Sequence, residues 1–353
     1  MIKVLIVDDS PVVREILRDW LEEQEDLNVV GEARDGIEAF DLVEKFSPNV
    51  VIMDILMPRM NGLEATEKIM GYYPTPILIF SSTVNNQEMN IAFEAISRGA
   101  LDVMAKPNGL GKNSQPDKKE FLKKIRILSR IPVIPHPRAK FQGRFHPAEQ
   151  SAAQPGTAAH PKFDLLAIGA STGGPKAISD ILKLFPEDFP VPIVIVQHIA
   201  DSFIAGMASW LNRESKLTVK VAEQGERLRP ATAYLAPARF HLTIRNNIVE
   251  LRDSGPVNNC KPSVDVLFAS LAESFRNRVL AVLLTGMGSD GASGMKQIHE
   301  RGGQTIVQDE ASSIIFGMPA SAIKLGGVDE VAPLQKIPDA IFRAFGLKKK
   351  GGK

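Results

Sequence analysis

Only one of the 353 residues is cysteine, Cys260. A single thiol excludes an intramolecular disulfide and a cysteine-based zinc site, and it is consistent with a reducing compartment. Charge of one sign is missing too, since 42 Lys and Arg against 41 Asp and Glu leave a formal net charge of +1. No strong field therefore directs the chain to nucleic acid or to an anionic membrane. No apolar run approaches the length needed to cross a bilayer. The start, Met1 to Asp9, is not expected to be a signal peptide, because Asp8 and Asp9 follow its short apolar run at once. These absences predict a soluble cytoplasmic protein with no direct membrane insertion. The lysine-rich end, Lys348 to Lys353, reads as a solvated tail.

Apolar residues are plentiful at 44%, and the length is too great for one ordinary core, so two domains are expected. The stretch around which the chain is organised is Phe163 to Pro175. Leu165 to Ile168 reads as a buried strand that breaks at Gly169. Pro175 then opens a helical pattern through Ala177, Ile178, Ile181, Leu182 and Phe185. Ser171 thus falls on a tight strand-to-helix turn, beside unpaired N–H groups and a positive dipole end. Gly169-Ala170-Ser171-Thr172-Gly173 fits the G-x-S-x-G elbow pattern of an activated serine. A phosphate-binding turn or a plain helix cap would use the same glycines.

Residues 1–122 alternate strand-like and helical runs. Ile2–Val7, Asn28–Ala33, Val50–Met53, Ile77–Phe80 and a segment holding Val103 and Met104 read as strands. The alternation predicts a parallel, doubly wound α/β sheet with its site at the strand carboxyl ends. Asp8 and Asp9 follow the first strand, Asp54 the third, Ser81 the fourth and Lys106 the fifth. Three carboxylates on one edge repel each other unless a hard divalent cation sits among them, and Mg²⁺ suits oxygen ligands and phosphate chemistry. Asp54 is the candidate nucleophile for an acyl phosphate, with Lys106 and Ser81 on the phosphoryl oxygens.

Leu5-Ile6-Val7-Asp8-Asp9, Val51 to Pro58 and Ala105-Lys106-Pro107 resemble the response-regulator receiver domain. The resemblance implies a flavodoxin-like (βα)5 fold and phosphorylation of Asp54 by a chemotaxis sensor histidine kinase. It also implies metal ligation by Asp8, Asp9, Asp54 and the Leu56 carbonyl. One departure stands out: many receivers carry an aromatic switch residue three before the lysine, and here that place is Val103. A Ser81–aromatic coupling is therefore not expected.

Residues 123–161 open with the rest of a closing helix, expected over Lys118–Ser129, and continue into a Pro-rich tether. A tether cannot hold a catalytic base in place, so His136, His146 and His160 are discounted. Residues 162–348 show further strands: Ile193–Gln197, Leu217–Val221, Ala233–Ala236, Ile248–Leu251, Val279–Leu284 and Gly303–Val307. They predict a second α/β domain with a largely parallel sheet. His198 directly follows Ile193–Gln197 and is the preferred general base. His299 reads as a surface residue, and His241 as one that lies near a site. Asp290, in the Gly-rich loop after Ala281–Leu284, is the candidate orienting acid, although a helix cap or a phosphate loop would also use an Asp there.

Ile168 to Pro175, Gln197-His198, Lys261 to Phe268, Leu284 to Ala292 and Gly317-Met318-Pro319 resemble the catalytic domain of the CheB family, the chemotaxis protein-glutamate methylesterases. The resemblance implies a Ser171–His198–Asp290 triad and an oxyanion donor at the Met287 amide, assisted by Thr172. It implies hydrolysis of glutamate γ-methyl esters on methylated chemoreceptors, with deamidation of glutamines as a second activity. No cofactor is expected for the ester chemistry. A binding regulator with a silent second domain is the alternative, and the three intact residues argue against it. The near-zero charge and the lack of a basic recognition helix disfavour a DNA-binding output.

Overall fold

The structure, a computed structural model, describes residues 1–82, 86–106, 115–133 and 162–347. The Pro-rich stretch with His136, His146 and His160, Pro107, and the tail from Lys348 lie outside the described residues.

Five strands build the first sheet: β1 (Ile2–Val7), β2 (Leu27–Ala33), β3 (Val50–Met53), β4 (Ile77–Ser81) and β5 (Asp102–Ala105). They pair in parallel in the order β2-β1-β3-β4-β5, the flavodoxin-like arrangement that the alternation predicts. β3 and β4 are buried along their whole length because helices cover both faces. Those helices are α1 (Pro11–Glu22), α2 (Gly36–Phe46), α3 (Gly62–Tyr72), α4 (Asn86–Ser97) and α5 (Gln115–Leu128). Local chemistry sets their starts. Asp35 accepts from the Ile37 and Glu38 amides, and Asn61 and Glu64 form a capping box. α5 begins at Gln115 and not at Lys118, a first turn that Pro116 tolerates. It buries Phe121, Leu122, Ile125 and Leu128.

The second sheet holds β6 (Leu165–Ala170), β7 (Ile193–Gln197), β8 (Thr218–Val221), β9 (Thr232–Leu235), β12 (Val279–Leu283), β13 (Gln304–Gln308) and β14 (Glu330–Ala332). Its order is β14-β13-β12-β6-β7-β9-β8, and every pair is parallel. The expected strand at Ile248–Leu251 does not join it. β10 (His241–Arg245) and β11 (Ile248–Arg252) form a separate antiparallel hairpin. Asn246 and Asn247 turn it at φ 50° and 63°, the left-handed pair that ties two strands back to back. The helices of this half are α6 (Gly174–Leu182), α7 (Asp201–Glu214), α8 (Val264–Ser274), α9 (Ala292–Glu300), α10 (Met318–Lys324) and α11 (Ile337–Ala344). No helix among the described residues is long and apolar enough to cross a membrane.

The two halves meet along α4 and α7. Phe93 stacks on Trp210 at 5.4 Å between ring centroids and meets Phe203 edge-on at 6.0 Å. Arg213 donates to Asn90 Oδ1 at 3.2 Å. Gly206 lets the helices close, since a Cβ there would lie 2.7 Å from Met89 Cβ.

Candidate functional site

β12, β6 and β7 are neighbours, so the residues that follow them share one rim. Ser171 follows β6, His198 follows β7, and Asp290 ends the loop after β12. Adjacent strands lie about 4.8 Å apart, which brings the first two turns side by side. The His198 amide donates to Ala170 O at 3.0 Å, and the Ser171 amide donates to Thr285 O at 3.0 Å. The buried Gln197 amide ties both turns, donating to Ser171 O at 2.8 Å and to His198 O at 2.9 Å. Gly173 turns the chain at φ 77°. Gly286 must lack a side chain, because its Cβ would lie 2.7 Å from Ser171 Cβ and 2.3 Å from Met318 Sδ.

His198 Nε2 bonds Asp290 Oδ2 at 2.8 Å. Asp290 is buried yet densely solvated by donors. Ser263 Oγ at 2.7 Å, the Val264 amide at 2.7 Å, the Asp265 amide at 3.2 Å and Asn258 Nδ2 at 3.1 Å all reach it. Three of these come from the start of α8, where the dipole also favours an anion. Burial pushes Asp290 up, but His198 and Ser263 pull it down to about 2. Burial pushes the His198 imidazolium the other way, and its bonds to Asp290 and to the Cys260 sulfur hold it at about 9. Asp290 therefore favours the protonated form of His198, and His198 the ionised form of Asp290.

With Nε2 committed to Asp290, Nδ1 is the nitrogen left to take a proton. It lies 3.8 Å from Cys260 Sγ. No hydrogen bond joins Ser171 Oγ to His198 among the described residues. The structure thus brings His198 and Asp290 into contact and sets Ser171 beside them, unbonded. Thr172 is buried, and its carbonyl accepts from Thr285 Oγ1 at 3.0 Å. Among the described residues the Thr172 and Met287 amides have no hydrogen-bond partner.

The other histidines sort themselves. His299 is exposed and pairs with Asp329. His241 is fully buried: Nε2 donates to Gly255 O at 3.0 Å and Nδ1 accepts from the Ser263 amide at 3.1 Å. It braces the segment that holds Asp290 and takes no place at the rim. Four further residues serve the site without a motif to mark them as functional: Ser263, Gln197, Asn258 and Cys260. Ser263 was findable as a cap before α8. The others needed the fold.

The acidic site lies at the carboxyl edge of the first sheet. Carboxylate oxygens of Asp8, Asp9 and Asp54 lie within 4.8 Å of one another. Lys106 Nζ bonds Asp8 at 2.7 Å and Asp54 at 3.0 Å. Asp54 Oδ1 accepts from the Ile55 amide at 2.8 Å. Burial lifts Asp54 to about 6, with Lys106 opposing and Asp8 reinforcing. Three carboxylates and one cation leave an excess of negative charge, and all the donors are oxygen, so the set fits a hard divalent ion such as Mg²⁺. Ser81 is buried at the same edge, its hydroxyl turned to Ser82 O at 3.2 Å. Leu56 is exposed, and Val103 is buried in β5.

Beyond the α4–α7 seam, a cavity of ≈ 160 Å³ lies between the halves. Gly99, Ala100 and Leu101 line one wall, and Gly173, Thr285 and Ile314 the other. The first half therefore stands over the rim two residues from Ser171.

Residues 166–341 match the family model for the CheB methylesterase, and residues 4–113 match that for the response regulator receiver domain. The chain is 41% identical over 344 residues to protein-glutamate methylesterase/protein-glutamine glutaminase 4 of Geobacter metallireducens, covering 97% of this chain and 98% of the relative. It is 38% identical to the protein-glutamate methylesterase/protein-glutamine glutaminase of Pyrococcus horikoshii, over 99% of this chain and 95% of that one. Among solved structures, the CheB methylesterase catalytic domain of Thermotoga maritima superposes with a TM-score of 0.50 at 40% identity, covering 51% of this chain and 98% of that domain.

Proposed function

This chain belongs to the CheB methylesterase family, joined to a response regulator receiver domain, and from that premise we propose that it is a phosphorylation-activated protein-glutamate methylesterase. Its substrates are glutamate γ-methyl esters on the cytoplasmic parts of methylated chemoreceptors, and its phosphodonor is a chemotaxis sensor histidine kinase. It works in the cytoplasm. Residues 1–122 form the receiver, 123–161 the closing segment and linker, and 162–348 the catalytic domain. The observation that carries the reading is the His198–Asp290 pair at 2.8 Å, its carboxylate buried and its imidazole half-buried, set beside Ser171 on the same rim.

Ser171 Oγ attacks the ester carbonyl while His198 Nδ1 takes its proton. Asp290 fixes the imidazole and stabilises the imidazolium. The Met287 and Thr172 amides hold the oxyanion, at about 3–4 kcal/mol for one such donor. The imidazolium returns its proton to the leaving oxygen, and methanol departs. Water, activated by the same nitrogen, then releases the glutamate and restores Ser171. Attack on a glutamine side chain would release ammonia by the same path.

In the receiver, Asp54 is the phosphoryl acceptor, and Lys106 and Ser81 bind phosphoryl oxygens. Asp8, Asp9, Asp54 and the Leu56 carbonyl would hold Mg²⁺, which when bound offsets the charge between carboxylates and phosphate. Phosphorylation replaces the single-charged carboxylate of Asp54 by an acyl phosphate of about −1.5 to −2 charges and biases the α4–α7 seam towards opening. The cavity beside Gly173 and Thr285 supports an inhibitory role for the unphosphorylated receiver.

Methanol release from methylated receptor membranes tests the reading. Ser171→Ala abolishes release and leaves Asp54 phosphorylation intact, and residues 162–353 alone outpace the unphosphorylated whole. Equal release by the serine variant defeats the esterase assignment. Slower release by the fragment defeats the inhibitory role.

A further inference from the structure

Asp290 receives four donors besides His198, and three of them come from the start of α8. The fourth comes from the rim. Val257–Cys260 is a two-residue hairpin, with the Val257 amide donating to Cys260 O at 3.0 Å and the Cys260 amide to Val257 O at 2.8 Å. Its central residues, Asn258 and Asn259, sit at φ 52° and 60°, the left-handed pair of a type I′ turn. Asparagine tolerates that region better than other side-chain-bearing residues. The turn directs Asn258 Nδ2 onto two carboxylates at once, Asp265 Oδ2 at 2.7 Å and Asp290 Oδ1 at 3.1 Å. Ionised carboxylates only accept, so the amide must present nitrogen to both.

Resting on the esterase reading, we propose that Asn258 is a positioning residue: it clamps the plane of Asp290, and through it the ring of His198, by donating one hydrogen to each of two facing carboxylates. The need for such a clamp follows from charge. Asp265 is largely buried beside Asp290, with its other oxygen on the Gly294 amide at 2.7 Å. Two such anions repel, and the repulsion, if unrelieved, would twist Asp290 away from its bond to His198 Nε2. A lysine or arginine between them would quench the repulsion but would also compete with the imidazolium for the charge of Asp290. A neutral double donor relieves the repulsion and leaves that charge to His198. The exposed place of Asn258 agrees with this, since a rim residue with its amide on buried carboxylates adds nothing to the apolar core.

The test uses the full chain. Asn258→Gly keeps the left-handed turn and removes only the amide. Asn258→Asp keeps the shape but puts a third carboxylate in the donor's place. Asn259→Gly alters the same turn without touching the triad, and Asp290→Asn serves as the reference. Methanol release is followed across pH, together with the downfield proton resonance of His198 Nε2–H. Asn258→Gly is expected to lower kcat roughly ten- to a hundredfold, the loss of one donor to a charged acceptor, with KM within about twofold of wild type. The His198 resonance broadens or moves upfield. Asn258→Asp moves the alkaline rise in kcat to higher pH, because added negative charge favours the imidazolium. Asn259→Gly matches wild type. If Asn258→Gly keeps kcat and the resonance while Asp290→Asn loses activity, this proposal alone fails. If Asp290→Asn is also fully active, the triad reading has failed.

Discussion

Replacing Asp290 by Asn probes the pair on which the chemistry rests. In the proposed reaction the neutral imidazole of His198 is the base, and the bond to Asp290 raises the pH at which that form accumulates, towards about 9. Methanol release by the wild type should therefore climb about tenfold per pH unit through the neutral range and level off near that value. Without the Asp290 charge, burial weighs more heavily against the imidazolium and the pKa of His198 falls, with the contact to the Cys260 sulfur still opposing the fall. The alkaline limb should then move down by roughly one to two pH units, the scale of one neighbouring charge. At about 1.4 kcal/mol for each unit, this is about 1.4–3 kcal/mol of imidazolium stabilisation lost, or roughly ten- to a hundredfold in kcat on the plateau. Stability should change in a defined window. His198 is raised, so its contribution is complete below 6.5 and lost as pH climbs through about 9; Asp290 is lowered, so its contribution is complete above 3.8 and lost as pH falls through about 2. Wild type should exceed the variant most between roughly pH 4 and 6.5. Asparagine also turns an NH₂ towards groups that are themselves donors, so a loss of about 3–5 kcal/mol is expected there. Urea unfolding and a pH–rate series on methylated membranes, with Ser171→Ala as the blank, measure both. An alkaline limb that stays in place would refute the reasoning.

Three further outcomes follow from the same geometry. Gly206→Ala places a methyl 2.7 Å from Met89 Cβ; overpacking costs about 1–3 kcal/mol, so the seam should loosen and unphosphorylated methanol release should rise at least several-fold, and an unchanged rate would dissociate the seam from control. Removing divalent cations with a chelator should abolish Asp54 phosphorylation, measured with a small phosphodonor, and leave methanol release by the unphosphorylated chain as it was; a parallel loss of both would place a metal in the ester chemistry. Alkylating Cys260, whose sulfur lies 3.8 Å from His198 Nδ1, should block the base and stop methanol release, while Cys260→Ser should resist the reagent; a fully alkylated, fully active enzyme would remove the thiol from the working side of the ring.

Much of the architecture is written locally. Val50–Met53 and Ile77–Ser81 are short, unbroken apolar runs between polar turns, which only a strand covered on both faces can use. Asp8, Asp54 and Lys106 follow such runs, and a parallel sheet delivers everything that follows its strands to one edge. Ser171 and His198 were legible in the same way, because each stands directly after a strand. The strand expected at Ile248–Leu251 is present, and its antiparallel pairing with His241–Arg245 was legible too, because Asn246-Asn247 marks a two-residue turn and such a turn forbids a parallel partner.

Other features exist only once the chain has folded. Asn258, Ser263 and Asp265 stand 32, 27 and 25 residues from Asp290 in sequence, yet all donate to it. Nothing in their own neighbourhoods points there. Which nitrogen of His198 meets Asp290, the approach of Cys260 to the other, and the closure of α4 on α7 through Phe93, Gly206 and Trp210 were likewise decided by packing. The reason is range. Backbone propensity and apolar periodicity act over a few residues and so mark elements, whereas hydrogen-bond direction and charge coupling act over a few ångströms between groups that only the tertiary fold brings near.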